Sequence, residues 1–404
     1  MTKYSPFDIL DGVWWIFVVA LLVSLLATPI ARAIAYKARI VDRPDDLLKP
    51  HHRPIAYLGG LAICTGLLIG LLAYALAMPD LGSQWSMLRS DLRGLHLRSL
   101  SNNTLWHLMA IALSCLVITL VGLLDDVRNL KPRQKIYGQI LAGAILFVGG
   151  IGQDIAYIVL GPMHLYPPLW VVLPLSLGMG IVMIVFTSNA TNLLDGLDGL
   201  CGGVTGIIAL GFLALAVWLA MWAGHPGVDE QRVALCLAMA GAVIGFLPYN
   251  VPPASIFMGD AGSMLLGFFV ATMMIQFCEE GTARWLLASW VVFALPVLDT
   301  ALAVVRRLVS RKSIFAGDRS HLYDQLVDRG MTVKQVVVLF YILAALAAVT
   351  GVTIAIFMHG RHAAWVYLAA MVVIWAIFYA KGMIKPPPRK SQAAEHPQAT
   401  GREA

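Results

Sequence analysis

The chain has 404 residues, of which 59% are hydrophobic and 13% are charged, with a mean hydropathy of +0.77. Because charged residues make up about a quarter of a soluble globular protein, this composition excludes a soluble protein and indicates a polytopic membrane protein. The formal net charge of +6 does not call for a nucleic-acid partner, since basic loops beside anionic lipid headgroups account for it.

Eleven apolar runs reach the length of about 17 to 25 residues that a transmembrane helix needs. They lie near residues 13–35, 57–78, 104–124, 136–152, 168–187, 203–223, 232–249, 262–279, 284–304, 335–358 and 363–382. The predicted fold class is therefore all-α, a single integral-membrane bundle of about eleven helices over residues 1–382. Residues 383–404, a proline run followed by mostly polar residues, are predicted to be a disordered cytoplasmic tail.

The distribution of Lys and Arg predicts the orientation of the bundle. Alternate loops, counted with the carboxyl-terminal tail, hold 21 of the 29 basic residues. Because short loops rich in Lys and Arg stay in the cytoplasm, we expect the amino terminus outside and the carboxyl terminus inside.

The first predicted cytoplasmic loop carries Lys49, His51 and Arg53 shortly before Gly59 and Gly60. Cations followed by glycines suit a phosphate group. The alternative is a basic membrane anchor ahead of an ordinary helix start.

Two adjacent acids, Asp125 and Asp126, end the third apolar run, and Lys135 begins the next. Like charges this close raise the pKa of one carboxyl group, so one acid is suited to act as a base while the other holds a cation. The alternative is a helix end tied down by surface ion pairs.

A third polar segment follows the fifth apolar run, where Asn189, Asn192, Asp195 and Asp198 recur at every third residue. This spacing predicts that the four side chains share one face of a helical turn and converge on one point. Ionisable residues inside an apolar bundle are costly and indicate a functional site. A polar turn that caps two helices is the alternative.

The fourth segment places Asp260 between Gly259 and Gly262, with Asn250 and Phe257 shortly before it. A carboxylate in a glycine-rich bend is a suitable ligand for a hard metal ion, although a plain helix N-cap also fits.

The last basic loop carries Arg306, Arg307 and Arg319, which suit a diphosphate, and His321, which suits a phosphate oxygen. Taken alone, such a loop also fits a purely topological role, in which its positive charge keeps it in the cytoplasm and it takes no part in catalysis. Asp299 is expected to pair within the bundle and is assigned no chemistry.

All these segments fall on the predicted cytoplasmic side, which indicates one active site that takes a phosphate-bearing substrate from the cytosol. Catalysis of phosphoryl transfer is largely positioning and charge neutralisation, for which cations and carboxylates are suited. A secondary transporter of an anionic solute is the alternative, but transporter sites lie near the bilayer midplane and not at one face.

Taken in order, segments 124–135, 189–200 and 257–263 resemble the signatures of the polyprenyl-phosphate N-acetylhexosamine-1-phosphate transferase family. Lys49, His51, Pro54 and the Gly59–Gly60 pair resemble its first cytoplasmic motif, with Ala56 where a second proline is usual. The resemblance covers nearly the whole chain. It implies a multi-pass protein of the inner membrane that transfers a sugar 1-phosphate from a UDP-sugar to polyprenyl (undecaprenyl) phosphate, releases UMP and starts a cell-envelope glycan.

The resemblance also implies roles for individual residues. Catalytic roles fall to Asp125, Asp126, Asp260 and His321, with one of the paired acids as the base, and Asp260 and Asp126 are the expected ligands of Mg²⁺, for which Mn²⁺ is an expected substitute. The residues implied in substrate binding are Lys49, His51, Lys135, Asn189, Asn192, Asp195, Asp198, Asn250, Phe257, Arg307 and Arg319.

One departure bears on the donor sugar. Members of the family that use UDP-N-acetylglucosamine commonly have a His-x-His-His segment, and the branch that uses the muramyl pentapeptide has three histidines in a row, whereas this chain has His321-Leu-Tyr-Asp324. We therefore expect a simple UDP-N-acetylhexosamine as the donor. The sequence leaves open which N-acetylhexosamine it is, the lipid chain length, the pathway, a direct or covalent mechanism, and the oligomeric state, for which a homodimer is one candidate.

Overall fold

The computed structural model describes residues 4–42, 54–94, 100, 102–222, 226–278, 283–309, 311, 321–358 and 360–383. Three residues with expected roles, Lys49, His51 and Arg319, lie outside these described residues, as does most of the predicted tail. Where the chain is described it is almost entirely helical, which confirms the predicted all-α class.

Sixteen α-helices follow one another along the described parts of the chain. They are α1 Pro6–Asp11, α2 Trp15–Ala38, α3 Gly59–Ala77, α4 Leu81–Gly94, α5 Thr104–Arg128, α6 Pro132–Val148, α7 Ile155–Leu160, α8 Leu169–Leu193, α9 Leu200–Trp222, α10 Pro226–Asn250, α11 Gly259–Cys278, α12 Ala283–Val292, α13 Ala294–Val309, α14 Leu322–Asp328, α15 Val333–Phe357 and α16 Gly360–Ala380. The strands β1 Val41–Asp42 and β2 Ile55–Ala56 pair antiparallel.

Among the described residues, nine helices are long and apolar enough to cross a membrane, and ten if α12 and α13, which meet at a bend of 72°, count as one span. The remaining predicted run corresponds to α6, which has 17 residues. Seventeen residues are at the lower limit of the range of about 17 to 25 for a transmembrane helix. The nine or ten long apolar helices in the described part of the chain confirm a polytopic helix bundle, and the eleventh span stays a prediction.

Helix α6 nevertheless lies along the whole of α5. At one end Lys135 forms an ion pair with Asp125, near the end of α5, and at the other the indole of Trp106 donates to the carbonyl of Val148 at 3.2 Å. The first turn of α6 is therefore held at the end of the bundle where α5 ends.

Helix α11 forms the centre of the bundle, because every residue from Ala261 to Cys278 is buried. It packs against α3, α5, α8 and α12. Two glycines permit this close packing at its first turn: a Cβ on Gly60 or Gly122 would fall within 3 Å of the α11 backbone. The amino terminus of α11 therefore lies at the point where several helices meet.

The β1–β2 hairpin fastens the start of α3 to the segment that precedes α11. Ala56 forms a parallel bridge with Ile256, and its carbonyl accepts from the amide of Phe257 at 2.8 Å. The amide of Gly59 donates in turn to the carbonyl of Phe257 at 2.9 Å. This backbone ladder brings the rings of Tyr57 and Phe257 together, with centroids 5.8 Å apart in an edge-to-face arrangement.

Candidate active site

Lys135 joins two of the predicted catalytic carboxylates. Its ammonium group forms ion pairs with Asp125 and with Asp260, the second at 2.6 Å. The other oxygen of Asp125 accepts from the amide of Leu130 at 2.7 Å, in the turn after α5. Residues 125, 135 and 260, which are far apart in the chain, thus form one cluster where α5 ends and α6 and α11 begin.

Asp126 caps the central helix. Its two carboxylate oxygens accept from the amides of Asp260 at 2.8 Å and Ala261 at 3.1 Å, two of the donors that a helix amino terminus leaves without an intrahelical partner. Gly259 makes this contact possible, since its φ is +68° and a Cβ there would lie 2.5 Å from an Asp126 oxygen. The N-cap considered for Asp260 is thus supplied by Asp126, and the side chain of Asp260 points to other partners.

Asn192 connects α8 to this cluster. Its side-chain amide donates to Asp260 at 2.8 Å and to the hydroxyl of Ser263 at 2.9 Å. Asp260 therefore accepts from a cation on α6 and from an amide on α8. Ser263, one turn into α11, is a member of the site that local sequence patterns did not indicate.

The expected convergence of Asn189, Asn192, Asp195 and Asp198 on one point is wrong. Asn189 donates to Gln139 at 3.2 Å and to a backbone carbonyl of its own helix, and Asp198 accepts from the amide of Ala254 at 2.9 Å. Because α8 ends at Leu193, the residues after it follow a turn and not the helical period. Asn189, Asn192 and Asp198 therefore contact three different neighbours, which are α6, α11 and the segment before α11.

Asp195 lies in this turn, where its surroundings favour a protonated carboxyl group. Burial, and then the charges of Asp260, Asp126 and Asp198, raise its pKa well above the ordinary value. Burial also raises the pKa of the Tyr57 phenol, with Asp195 the largest of the neighbouring charges. Tyr57, which the sequence analysis did not single out, thus lies against Phe257 and within the electrostatic influence of four carboxylates, those of Asp195, Asp126, Asp260 and Asp42.

Asn250 braces two loops. It is buried, accepts from the amide of Gly199 at 3.1 Å and donates to the carbonyl of Ile256 at 3.1 Å. These bonds hold the turn after α8 against the segment that carries Phe257. Its expected contact with a nucleotide stays a prediction, whereas Phe257 itself is partly exposed.

His321 lies at the first turn of α14 and is buried against α13. Its Nδ1 lies 2.8 Å from a carboxylate oxygen of Asp299. The expectation that Asp299 pairs within the bundle is thus confirmed, and its partner is the predicted catalytic histidine. Arg307, also on α13, is buried.

The donor chemistry of the acidic cluster fits a magnesium ion. Within the described ranges, no group of three or more His, Cys, Asp or Glu side chains is arranged to hold a metal by itself. Mg²⁺ in phosphate sites, however, is bound by one or two carboxylates together with substrate phosphates and water. Asp125 and Asp260 already converge on one cation, the ammonium group of Lys135, which shows that this position stabilises positive charge.

Comparison with known proteins agrees with this site. Residues 108–278, which run from the first turns of α5 to the end of α11 and include the acidic cluster, match the family model described as "Glycosyl transferase family 4". The chain is 32% identical over 372 residues to the decaprenyl-phosphate N-acetylglucosaminephosphotransferase of Mycobacterium leprae, covering 88% of this chain and 86% of that protein. It is 28% identical over 341 residues to the probable undecaprenyl-phosphate N-acetylglucosaminyl 1-phosphate transferase of Bacillus subtilis, covering 84% of each.

A second branch is also similar. The phospho-N-acetylmuramoyl-pentapeptide-transferase of Shouchella clausii is 28% identical over 353 residues, covering 85% of this chain and 96% of that protein. The transporter alternative finds no support among these relatives. Because the signature segments, the family model and relatives along most of the chain agree, the chain belongs to glycosyl transferase family 4, among the polyprenyl-phosphate N-acetylhexosamine-1-phosphate transferases.

Proposed function

We propose that the protein transfers an N-acetylhexosamine 1-phosphate from a UDP-sugar to undecaprenyl phosphate, or another polyprenyl phosphate, at the cytoplasmic face of the inner membrane. UMP is the second product, and the lipid-linked sugar begins a cell-envelope glycan. The observation that carries the proposal is the cluster of Lys135, Asp125 and Asp260 at the end of the bundle where α5 ends and α11 begins. The named activities of the relatives support it.

In the proposed reaction an oxygen of the lipid phosphate attacks the β-phosphorus of the donor. A new P–O bond forms as the bond between the β-phosphorus and the bridging oxygen breaks, and that oxygen leaves with UMP. A base accepts any proton that the lipid phosphate carries. We favour this direct displacement over a covalent aspartyl intermediate.

Contacts of the paired acids favour Asp125 as the base. Its partner Lys135 is a flexible side chain that an arriving phosphate can draw away. Asp126, in contrast, accepts two amides of a packed helix, which substrate cannot displace. Such backbone bonds orient a carboxylate in the way that outer-shell partners orient metal ligands. Asp126 and Asp260 are therefore the proposed ligands of Mg²⁺, with Mn²⁺ as a substitute.

When bound there, the metal would neutralise charge on the donor diphosphate. The remaining residues bind and orient the substrates. Lys135, freed from the carboxylates, would contact phosphate, and the face of Phe257 would stack on uracil. The other proposed binding residues are Lys49, His51, Asn189, Asn192, Asp195, Asp198, Asn250, Arg307 and Arg319, and His321 would donate to the diphosphate or the sugar.

N-acetylglucosamine, or a deoxy or epimeric relative, is the proposed donor sugar. The relatives from Bacillus subtilis and Mycobacterium leprae are named for N-acetylglucosamine transfer, and Tyr323 and Asp324 replace the last two histidines of the family's segment. The relative from Shouchella clausii supports the muramyl pentapeptide as the rival donor. A homodimer stays a prediction.

The purified protein in detergent should release UMP from at least one simple UDP-N-acetylhexosamine when undecaprenyl phosphate and Mg²⁺ are present. A panel of UDP-N-acetylglucosamine, its epimers and UDP-muramyl pentapeptide would be compared by kcat/KM, with omission of the lipid as the control. A higher kcat/KM for the pentapeptide donor would overturn the sugar assignment. Uptake of a UDP-sugar into proteoliposomes without UMP release would overturn the transferase itself.

A further inference from the structure

His321 is held between Asp299 and Tyr323, neither of which has a catalytic role in the proposed function. On one side, a carboxylate oxygen of Asp299 on α13 lies 2.8 Å from Nδ1 of His321. On the other, the ring of Tyr323 lies parallel to the imidazole, with an interplanar angle of 6° and centroids 5.4 Å apart. A charged and an aromatic partner therefore fix both the rotation and the position of this ring.

Asp299 also determines which ring nitrogen carries a proton. It is 1% exposed, and its second oxygen accepts from the amide of Leu322 at 2.6 Å. An ionised carboxylate can only accept hydrogen bonds, so the nitrogen that faces it, Nδ1, must be the donor. In the neutral imidazole the lone pair then lies on Nε2, the nitrogen that Asp299 does not hold.

Tyr323 ties this histidine to the acidic cluster. Its hydroxyl donates to the carbonyl of Leu193 at 3.0 Å, at the last residue of α8. The preceding residue, Asn192, donates to Asp260. The phenol fits only because Gly196 has no side chain, since a Cβ there would lie 2.5 Å from the Tyr323 Cζ atom.

We propose that Asp299 and Tyr323 are positioning residues that hold His321 in one tautomer and at a set distance from the carboxylate of Asp260. The proposal rests on the proposed function, in which His321 donates to or accepts from the phosphate or the sugar. Asp299 keeps the proton of the imidazole on Nδ1. Tyr323, through its hydrogen bond to the last residue of α8 and its stacking on the imidazole, fixes the position of the ring relative to α8. Neither residue needs to touch substrate.

Asp299→Asn is the direct test. Its amide oxygen can still accept from the Leu322 amide, but its NH₂ group then faces Nδ1 and favours the opposite tautomer. We expect kcat for UMP release to fall about 100-fold, within the range of a lost acid–base contribution, with KM changed less than about threefold. Thr332→Ala is the matched control, because it removes the N-cap of α15 without touching an imidazole.

A double-mutant cycle separates positioning from general destabilisation. If Asp299 acts through His321, adding Asp299→Asn to His321→Ala should lower kcat no further. Equal losses in both backgrounds, or a near-normal kcat for the single variant, would overturn the proposal.

Nitrogen-15 NMR of labelled histidine measures the tautomer of His321 directly, without an activity assay. In the wild-type protein, subtraction of the His321→Ala spectrum should isolate a ring protonated at Nδ1, and Asp299→Asn should move the proton to Nε2. A wild-type ring protonated at Nε2 would refute the proposal even if transfer activity is normal. Absence of UMP release with the expected Nδ1 signal would instead count against the proposed function alone.

Tyr323→Phe keeps the buried hydrogen bond between Asp299 and His321, and it tests the hydrogen bond that tethers Tyr323 to Leu193 in a variant that should fold. Tyr341→Phe is matched to it, since Tyr341 donates to the carbonyl of Gly199 at 2.7 Å in the same turn but does not stack on His321. We expect kcat to fall about fivefold for Tyr323→Phe, the effect of one lost hydrogen bond, and to stay within about twofold for Tyr341→Phe. Equal effects of the two changes would contradict a specific tether.

Discussion

Lys135 balances the negative charge of two carboxylates at the candidate site. Two carboxylates from different helices converge on its ammonium group, and Asn192 donates to one of them. Without a cation between them the two acids would repel each other, so we expect the cluster to be occupied by positive charge at every stage. In the proposed function, a metal ion would share this task with Lys135 and neutralise charge on the donor diphosphate.

Asp260→Asn should abolish transfer while leaving the protein folded. The amide keeps the shape of the side chain, but its single oxygen can accept from only one of the two donors, Lys135 and Asn192, and it binds a hard cation weakly. We expect kcat to fall by about 100-fold or more, with little rescue by excess Mg²⁺. The control is Asp328→Asn, a change at an exposed residue of α14. Near-normal turnover of Asp260→Asn at low Mg²⁺ would show that the metal lies elsewhere.

The raised pKa of Asp195 predicts how stability depends on pH. A carboxyl group whose pKa is higher in the folded state destabilises the fold once pH exceeds the unfolded value of about 3.9, and increasingly up to the folded value. Asp195→Asn removes this loss, because the amide stays neutral. The melting temperature of the variant, relative to wild type in detergent, should therefore rise with pH over this window. A difference that does not change with pH would show that Asp195 is ionised in the fold.

At the scale of elements, the close packing of helices around α11 depends on glycines. Gly60 of α3 and Gly122 of α5 face the first turn of α11 at backbone distance. In the sequence, Gly59 and Gly60 follow basic residues and suit a phosphate group. The structure shows that Gly60 accommodates helix α11, while Gly196 and Gly203 accommodate the rings of Tyr323 and Tyr341.

Gly60→Ala should therefore destabilise the bundle, because its Cβ would overlap the backbone of Gly262. We expect a loss of about 1 to 3 kcal/mol, typical of overpacking, and a lower kcat as the first turn of α11 shifts. Gly82→Ala on α4 is the matched control, since nothing lies within 4 Å of its Cβ position. Thermal unfolding in detergent measures both, and equal melting temperatures for the two variants would contradict this account.

At the scale of the whole molecule, the bundle gathers the ends of α5 and α8 and the starts of α6, α11 and α14 around the candidate site. The contacts of Asp126 with Asp260, Asn192 with Asp260 and Tyr323 with Leu193 all join these ends. Because the site lies at one end of the helices, the bilayer can deliver a lipid phosphate while water delivers the nucleotide.

The basic-residue pattern predicts that this end faces the cytoplasm, with Met1 outside and Ala404 inside. Single cysteines introduced near positions 125, 195, 260 and 321 should react with a membrane-impermeant maleimide only from the cytoplasmic side of sealed vesicles. All five native cysteines are buried, so their background labelling should be low. Labelling of any of these four positions from the outer side would refute a single cytoplasmic site.

The helices and the signature residues could be predicted from the sequence because both depend on local properties. The length of an apolar run determines whether a helix can satisfy its backbone inside lipid, and the spacing of Asp125, Asp126 and Lys135 identifies a site wherever the helices lie. Hydropathy did not locate the end of α6, because its 17 helical residues end at Val148, before the apolar run does.

The tertiary structure alone decided which side chains meet. Asn189 and Asn192 have the same local pattern, yet only Asn192 reaches Asp260, because α8 presents one to α11 and the other to α6. Asp126 caps α11, Tyr57 packs against Phe257, and Asp299 contacts His321. Each of these contacts joins segments that are far apart in the chain. Periodicity determines the face of one helix, but the packing of several helices determines what that face contacts.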